Sequence, residues 1–257
     1  MLSDDQKAHL RDHGFCVLPG LLGGAALDRA RAALDRAAER TGASHDSRLD
    51  PNDANIRVYN LPAIDPLFID LLRDPLALAA VRGLLGQGVL VSNFTANIAL
   101  PGSGSMKLHS DQGLVVPSPW FEPWAANVIW CLDDVREANG ATRYLPGSHL
   151  YRTAAEVPAD AAARTVAFEA PAGSAILMEG RLWHTSGANV TADERRRMMF
   201  AYYSADFIRQ QANWAFQLPP EVQEAMDAET RKLFGLEAMG NVRIGGALTR
   251  LAPAEPA

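Results

Sequence analysis

Three side chains in this sequence have the types and spacing of a metal site: His109 and Asp111, one residue apart, and His184 far downstream. In an extended strand, side chains alternate between faces with period two, so a His-x-Asp pair presents both groups to one side. A second imidazole folded alongside completes a two-histidine, one-carboxylate face. That set leaves coordination positions open and is the ligand pattern of non-haem Fe(II) oxygenases. The short motif is weak alone, because six histidines make one such spacing by chance roughly an even bet. Its weight depends on elements that bring the three residues together.

A second cluster is Arg195-Arg196-Arg197, followed by Met198-Met199-Phe200-Ala201-Tyr202-Tyr203. On a strand, Arg195 and Arg197 share one face and Arg196 lies on the other. A guanidinium offers a rigid fork suited to a carboxylate, so one of the three can enter a pocket beside a metal. Trp120, Phe121, Pro123 and Trp124 form an aromatic, proline-containing loop. It reads either as satellite core or as a substrate wall, which would favour a hydrophobic small molecule.

The elements expected to position these groups change in texture along the chain. Ser3 to Gly14, Ala25 to Thr41, Pro66 to Leu72 and Pro75 to Leu85 read as helices with cap, stop or first-turn proline signals. Phe15 to Leu18 reads as a strand, and Ser44 to Asn55 as a polar loop. From Val89 short β-compatible runs dominate: Val89 to Leu100, Met106 to Ser110, Ala126 to Leu132, Ala141 to Leu145, Thr165 to Phe168, Ser174 to Met178, Leu182 to Thr185 and Met198 to Ser204. Such spacing predicts two packed sheets in a jelly roll. Glu221 to Phe234 reads as a helix, and the tail after Leu251 as frayed. The expectation is one α+β, mainly β domain over 1–257. Its helical part covers about 1–88, its jelly-roll core about 89–206, and a helix and tail 207–257.

Composition narrows the function. Hydrophobic residues are 48% and charged residues 21%, an ordinary globular balance. A net charge of −6 without a basic run argues against nucleic acid. No apolar run reaches the ~20 residues of a membrane span. The acidic start and two isolated cysteines, Cys16 and Cys131, point to a cytoplasmic protein without disulfides. A small-molecule partner is expected, and oligomeric state is not legible.

In order, Asp12-His13-Gly14-Phe15 to Leu22, Asp74-Pro75 to Gly86, His109-Ser110-Asp111, Trp130-Cys131-Leu132-Asp133-Asp134, Asn139-Gly140 to His149, His184 to Asn189 and Arg195 resemble the phytanoyl-CoA dioxygenase family. Its members are Fe(II)- and 2-oxoglutarate-dependent oxygenases with a double-stranded β-helix core. The resemblance implies iron ligands His109, Asp111 and His184. It implies a 2-oxoglutarate arginine eleven residues after the second histidine, Arg195, with Arg197 and Arg196 left open by strand phase. Ser186, Thr142 and Trp130 match residues close to the cosubstrate, and His149 belongs to a structural turn. Related halogenases carry Gly or Ala where Asp111 stands, so oxygenation is favoured over halogenation. The implied reaction is O2-dependent hydroxylation, or related oxidation, of an unactivated C–H, with succinate and CO2 as coproducts. A hydrophobic or secondary-metabolite substrate is expected. The rivals are a cupin-like metalloenzyme with no need of the arginine, or a non-catalytic binder on the same scaffold.

Overall fold

The computed structural model describes residues 2–41 and 54–237. Helix α1 (Asp4–His13) opens on a capping box, Ser3 and Gln6 each accepting from the other's backbone N–H. It stops at Gly14, whose φ of 80° is readily adopted only by glycine. Strand β1 (Phe15–Leu18) follows, then α2 (Gly24–Thr41), β2 (Asn55–Val58), α3 (Pro66–Leu72) and α4 (Pro75–Leu85). Asp65 and Asp74 cap α3 and α4 by accepting first-turn N–H groups, beside prolines that have no N–H to satisfy. The remaining strands are β3 (Val89–Ala99), β4 (Ala125–Cys131), β5 (Thr142–Tyr144), β6 (Val166–Ala167), β7 (Ala175–Glu179), β8 (His184–Ser186) and β9 (Arg196–Ala205). Short helices α5 (Trp214–Gln217), α6 (Pro220–Glu224) and α7 (Ala228–Leu233) complete the described chain.

The strands form two antiparallel sheets, one of order β1-β7-β4-β9-β3-β2 and one of order β6-β5-β8. The fold is therefore α+β, mainly β, with the jelly-roll core expected. Period-two alternation divides the large sheet into two faces. Val128 and Trp130 of β4, Leu177 of β7, and Met199, Ala201 and Tyr203 of β9 join a core with Leu34 of α2, Phe68 of α3 and Val81 of α4. Their neighbours Ile129, Cys131, Ile176, Met178 and Met198 face inward with Leu182 and Phe168. Helices thus seal one face of the large sheet, and the small sheet closes over the other.

Strand β3 changes phase midway. Its register with β9 shifts between Val91 and Asn93, a β-bulge at Ser92. Before the bulge Val89 and Val91 face the helices; after it Phe94, Ala96 and Ile98 do. The bulge thereby turns Asn93, Thr95 and Asn97 inward.

Several expectations are corrected. Met106 to Ser110 is not a strand; only His109 makes a β-bridge. The helix expected over Glu221 to Phe234 is two, because the Asp227 side chain caps a new one by accepting from Thr230 N–H. The helical front also supplies β1 and β2 to the large sheet. Of the loop expected over Ser44 to Asn55, residues 44–53 lie outside the described residues, as does the tail, and Asn55 opens β2.

Candidate metal centre and the cavity beside it

His109 and His184 are directly opposed. Each backbone N–H donates to the other's carbonyl, at 2.9 and 2.8 Å. A pair that exchanges both bonds projects its side chains to one face, and the two rings lie with centroids 4.3 Å apart. Ser110 is extended, at φ −117° and ψ 134°, which returns Asp111 to that face before a 3-10 turn, Asp111–Leu114, begins. Asp111 Oδ1 lies 3.9 Å from His109 Nε2 and 3.7 Å from His184 Nε2. Among the described residues, these three offer ligand atoms within 4.8 Å of one another.

The surroundings prepare each ligand. His109 Nδ1 lies 2.9 Å from Lys107 O and His184 Nδ1 2.9 Å from Leu182 O. A carbonyl accepts only, so each Nδ1 donates, and each Nε2 is the nitrogen turned towards the other two ligands. Burial holds the His184 pKa below the ordinary imidazole value against the opposing charge of Asp111, which favours the neutral, ligating form. Asn127 Nδ2 donates to Asp111 Oδ2 at 3.1 Å, and the Tyr202 hydroxyl donates to Asp111 O at 3.2 Å. The turn is anchored by Gln112. Its N–H donates to Gly180 O, and its buried amide donates to Glu122 O and accepts from Trp124 N–H.

Beside the three ligands lies a cavity of about 180 Å³. Arg196 closes one end, fully buried, with Nη2 donating to Gly140 O at 2.7 Å. Its Nε and Nη1 have no hydrogen-bond partner among the described residues. Desolvating a cation costs several kcal/mol, so unpaired guanidinium donors in a cavity wall call for an anionic occupant. Burial lowers the Arg196 pKa to about 10, which still leaves it charged at neutral pH. Thr142 and Ser186, paired across β5 and β8, line the same cavity. The set fits the two groups that the sequence implied: a divalent metal on three ligands, and a dicarboxylate reaching the buried arginine.

The phytanoyl-CoA dioxygenase (PhyH) family model matches residues 10–198. The chain belongs to that family. Among curated relatives, dioxygenase af480 of Aspergillus fumigatus is 46% identical over 257 residues, covering 98% of this chain and 83% of its own. Dioxygenase trt7 of Aspergillus terreus is 29% identical, covering 88% and 81%. The fold is shared with HygX of Streptomyces hygroscopicus, solved with nickel and 2-oxoglutarate (TM-score 0.67, 20% identity, 82% of this chain and 90% of that one). It is also shared with the carbocyclase SnoK from nogalamycin biosynthesis (TM-score 0.67, 22% identity, 83% and 88%). This PhyH-family protein is an Fe(II)- and 2-oxoglutarate-dependent dioxygenase. No helix among its described residues is long and apolar enough to cross a membrane.

The family spacing pointed to Arg195, and the geometry does not bear it out. Arg195 is half-exposed and pairs with Asp35 of α2 at 2.8 Å. Arg197, on the same face, binds Asp133 and Asp35. Strand phase decides: Arg196, Met198, Phe200 and Tyr202 are the inward residues of β9. Trp130 is likewise corrected, because even-numbered residues of β4 face the helices and it lies in their core. Thr142 and Ser186 reach the cavity as expected. His149 does not; its Nε2 lies 3.2 Å from Arg11 O, a structural role. The aromatic loop forms no wall of this cavity: Trp120 is buried on Val115 O, and Phe121 is exposed. Asn127, Tyr202 and the Gly140 carbonyl were not foreseen. Alternation along β4 and β9, phased on Arg196, would have found the first two.

Proposed function

We propose that His109, Asp111 and His184 hold the Fe(II), and that Arg196, not Arg195, receives the distal carboxylate of 2-oxoglutarate. The observation that carries this reading is the pair of unpartnered N–H donors on a fully buried guanidinium in the wall of the metal cavity. Bound iron supplies the oxygen activation that oxidises an unreactive C–H bond. The chain's own contribution is placement. The two Nε2 atoms and Asp111 would hold the metal, Asn127 fixes the rotation of the Asp111 carboxylate, and Arg196 would set the cosubstrate's direction along the cavity. Thr142 and Ser186 flank the cosubstrate; Ser186 Oγ accepts from Met106 N–H at 2.9 Å, which leaves its own proton to donate. The substrate is a small molecule, and a natural-product skeleton is supported by HygX, solved also with hygromycin B, and by SnoK. We read the chain as one domain. The buried, unpaired thiols of Cys16 and Cys131 support a cytoplasmic location.

The test is anaerobic addition of Fe(II) and 2-oxoglutarate, read by the visible metal-to-ligand charge-transfer band. Arg196→Leu is expected to weaken 2-oxoglutarate binding on the order of a hundred-fold or more, and Arg195→Ala to leave it within about two-fold. The reverse ranking would overturn the assignment.

A further inference from the structure

The cavity has a second end, with chemistry of its own. Asn93 of β3 pairs in register with Tyr202 of β9, and Tyr202 with Asn127 of β4. Tyr202 and Asn127 are the two side chains that hold Asp111. Asn93 therefore stands at the level of a metal ligand, on the side remote from Arg196, which pairs with Ala99 six residues along β3, roughly 20 Å away.

Three successive inward positions of this central strand are Asn93, Thr95 and Asn97, where β4, β7 and β9 elsewhere place Ile129, Ile176, Met178 and Met198. Polar groups facing an interior cost about 1–3 kcal/mol each when unbonded, so they are poor filler. The bulge at Ser92 both turns them inward and recruits a partner. Its leftover groups bind the segment after β9: Gln211 N–H donates to Ser92 Oγ at 2.9 Å, and Ala212 N–H donates to Ser92 O at 2.8 Å. That contact carries the Gln211 side chain to Asn93, whose Nδ2 donates to Gln211 Oε1. Whichever amide donates, the pair still presents one NH2 group and one carbonyl oxygen. Both residues line the metal cavity together with Phe200.

We propose that Asn93 and Gln211 determine specificity by binding an oxygen already present on a neutral substrate, a ketone or hydroxyl close to the carbon that is oxidised. This rests on the proposed polarity of the cavity, with Arg196 at the cosubstrate end. Among the described residues, the two guanidinium groups that line the cavity, Arg57 and Arg196, belong to rungs four and six residues along β3 from Asn93, so neither of them meets an anionic substrate group at the Asn93 end. Phe200, paired with Thr95 on the next inward rung, gives the carbon skeleton an apolar face. A step that installs this ketone or hydroxyl must therefore precede this enzyme in the sequence that makes its substrate.

The test compares cyclooctanone with its isostere methylenecyclooctane, binding to metal-free protein by ligand-observed NMR. In the parent, the ketone-to-isostere affinity ratio is expected to exceed that of Asn93→Leu and of Gln211→Leu by about five-fold, the scale of one hydrogen bond. Gln211 is exposed, so its variant removes the group without disturbing a core. An unchanged ratio in Gln211→Leu, or no binding of the ketone to the parent, overturns the proposal. The charge-transfer band with Fe(II) and 2-oxoglutarate is expected to persist in both variants. Its absence from the parent would count against the cosubstrate assignment alone, because the probe measurement uses neither metal nor 2-oxoglutarate.

Discussion

A single peptide unit separates an arginine that reaches the cavity from one that binds a surface helix. Arg195 and Arg196 have the same side chain, yet one pairs with Asp35 and the other lies fully buried in the wall of the metal cavity. Strand phase, not residue type, assigns their roles. A similar economy applies to His149, which is buried beneath Gly14 and held below the ordinary imidazole pKa chiefly by desolvation. The unfolded chain takes up this proton near pH 6.5, and the folded chain does so only at lower pH. Between those values the unfolded state binds more protons, so stability falls as pH drops through that window. Thermal unfolding of the metal-free protein between about pH 7.5 and 5.5 should show His149→Gln losing less melting temperature than the parent, by roughly a few degrees. Parallel curves for the two proteins would show that His149 contributes nothing to the acid sensitivity.

At the scale of elements, the junction of β5 and β8 is held by close backbone approach. A Cβ on Gly187 would lie 2.5 Å from Ala141 O, and Gly140, at φ 87°, offers the carbonyl that anchors Arg196. Gly187→Ala is expected to push these strands apart. Urea unfolding should report a loss of about 2 kcal/mol or more, together with weaker 2-oxoglutarate binding. Full stability in that variant would mean the strands can yield without cost. The chain's pattern predicted most elements well where local chemistry is strong. Ser3 and Gly14 bound α1, aspartate and proline open α3 and α4, and apolar runs mark β3, β4 and β7. The metal ligands were legible because His-x-Asp needs only one extended residue between its members. What stayed hidden depends on pairing at long range. The bulge at Ser92 leaves no local signature, yet it decides whether Asn93 faces helices or cavity. Counting from His184 pointed to Arg195, while Arg196 is the one that lines the cavity, because counting ignores where β9 begins, and its register with β3 and β4 sets that phase.

At the scale of the whole molecule, the large sheet separates two kinds of work. Its helix-facing residues form a continuous core with α2, α3 and α4, and its inward residues, among them Asn93, Asn127, Arg196 and Tyr202, line the cavity beside His109, Asp111 and His184. Substitutions on the two faces should therefore differ in kind: stability changes with little effect on selectivity on one side, and the converse on the other.

The backbone exchange between His109 and His184 has a mechanical side. The small sheet ends at β8, and among the described residues the backbone rung laid along the outer edge of β8 is residue 109. An ion gripped by both imidazoles would act as a clasp on an otherwise open sheet border, tying residues 106–109 to β8. Chelation should loosen that border and leave unpaired N–H and C=O groups available to a neighbouring chain. Protein stripped of divalent metal is expected to form larger particles on storage than the Fe(II)- or Zn(II)-loaded form at equal concentration, as light scattering would record. Equal growth in both would mean the clasp is redundant and the protein seals its own edge.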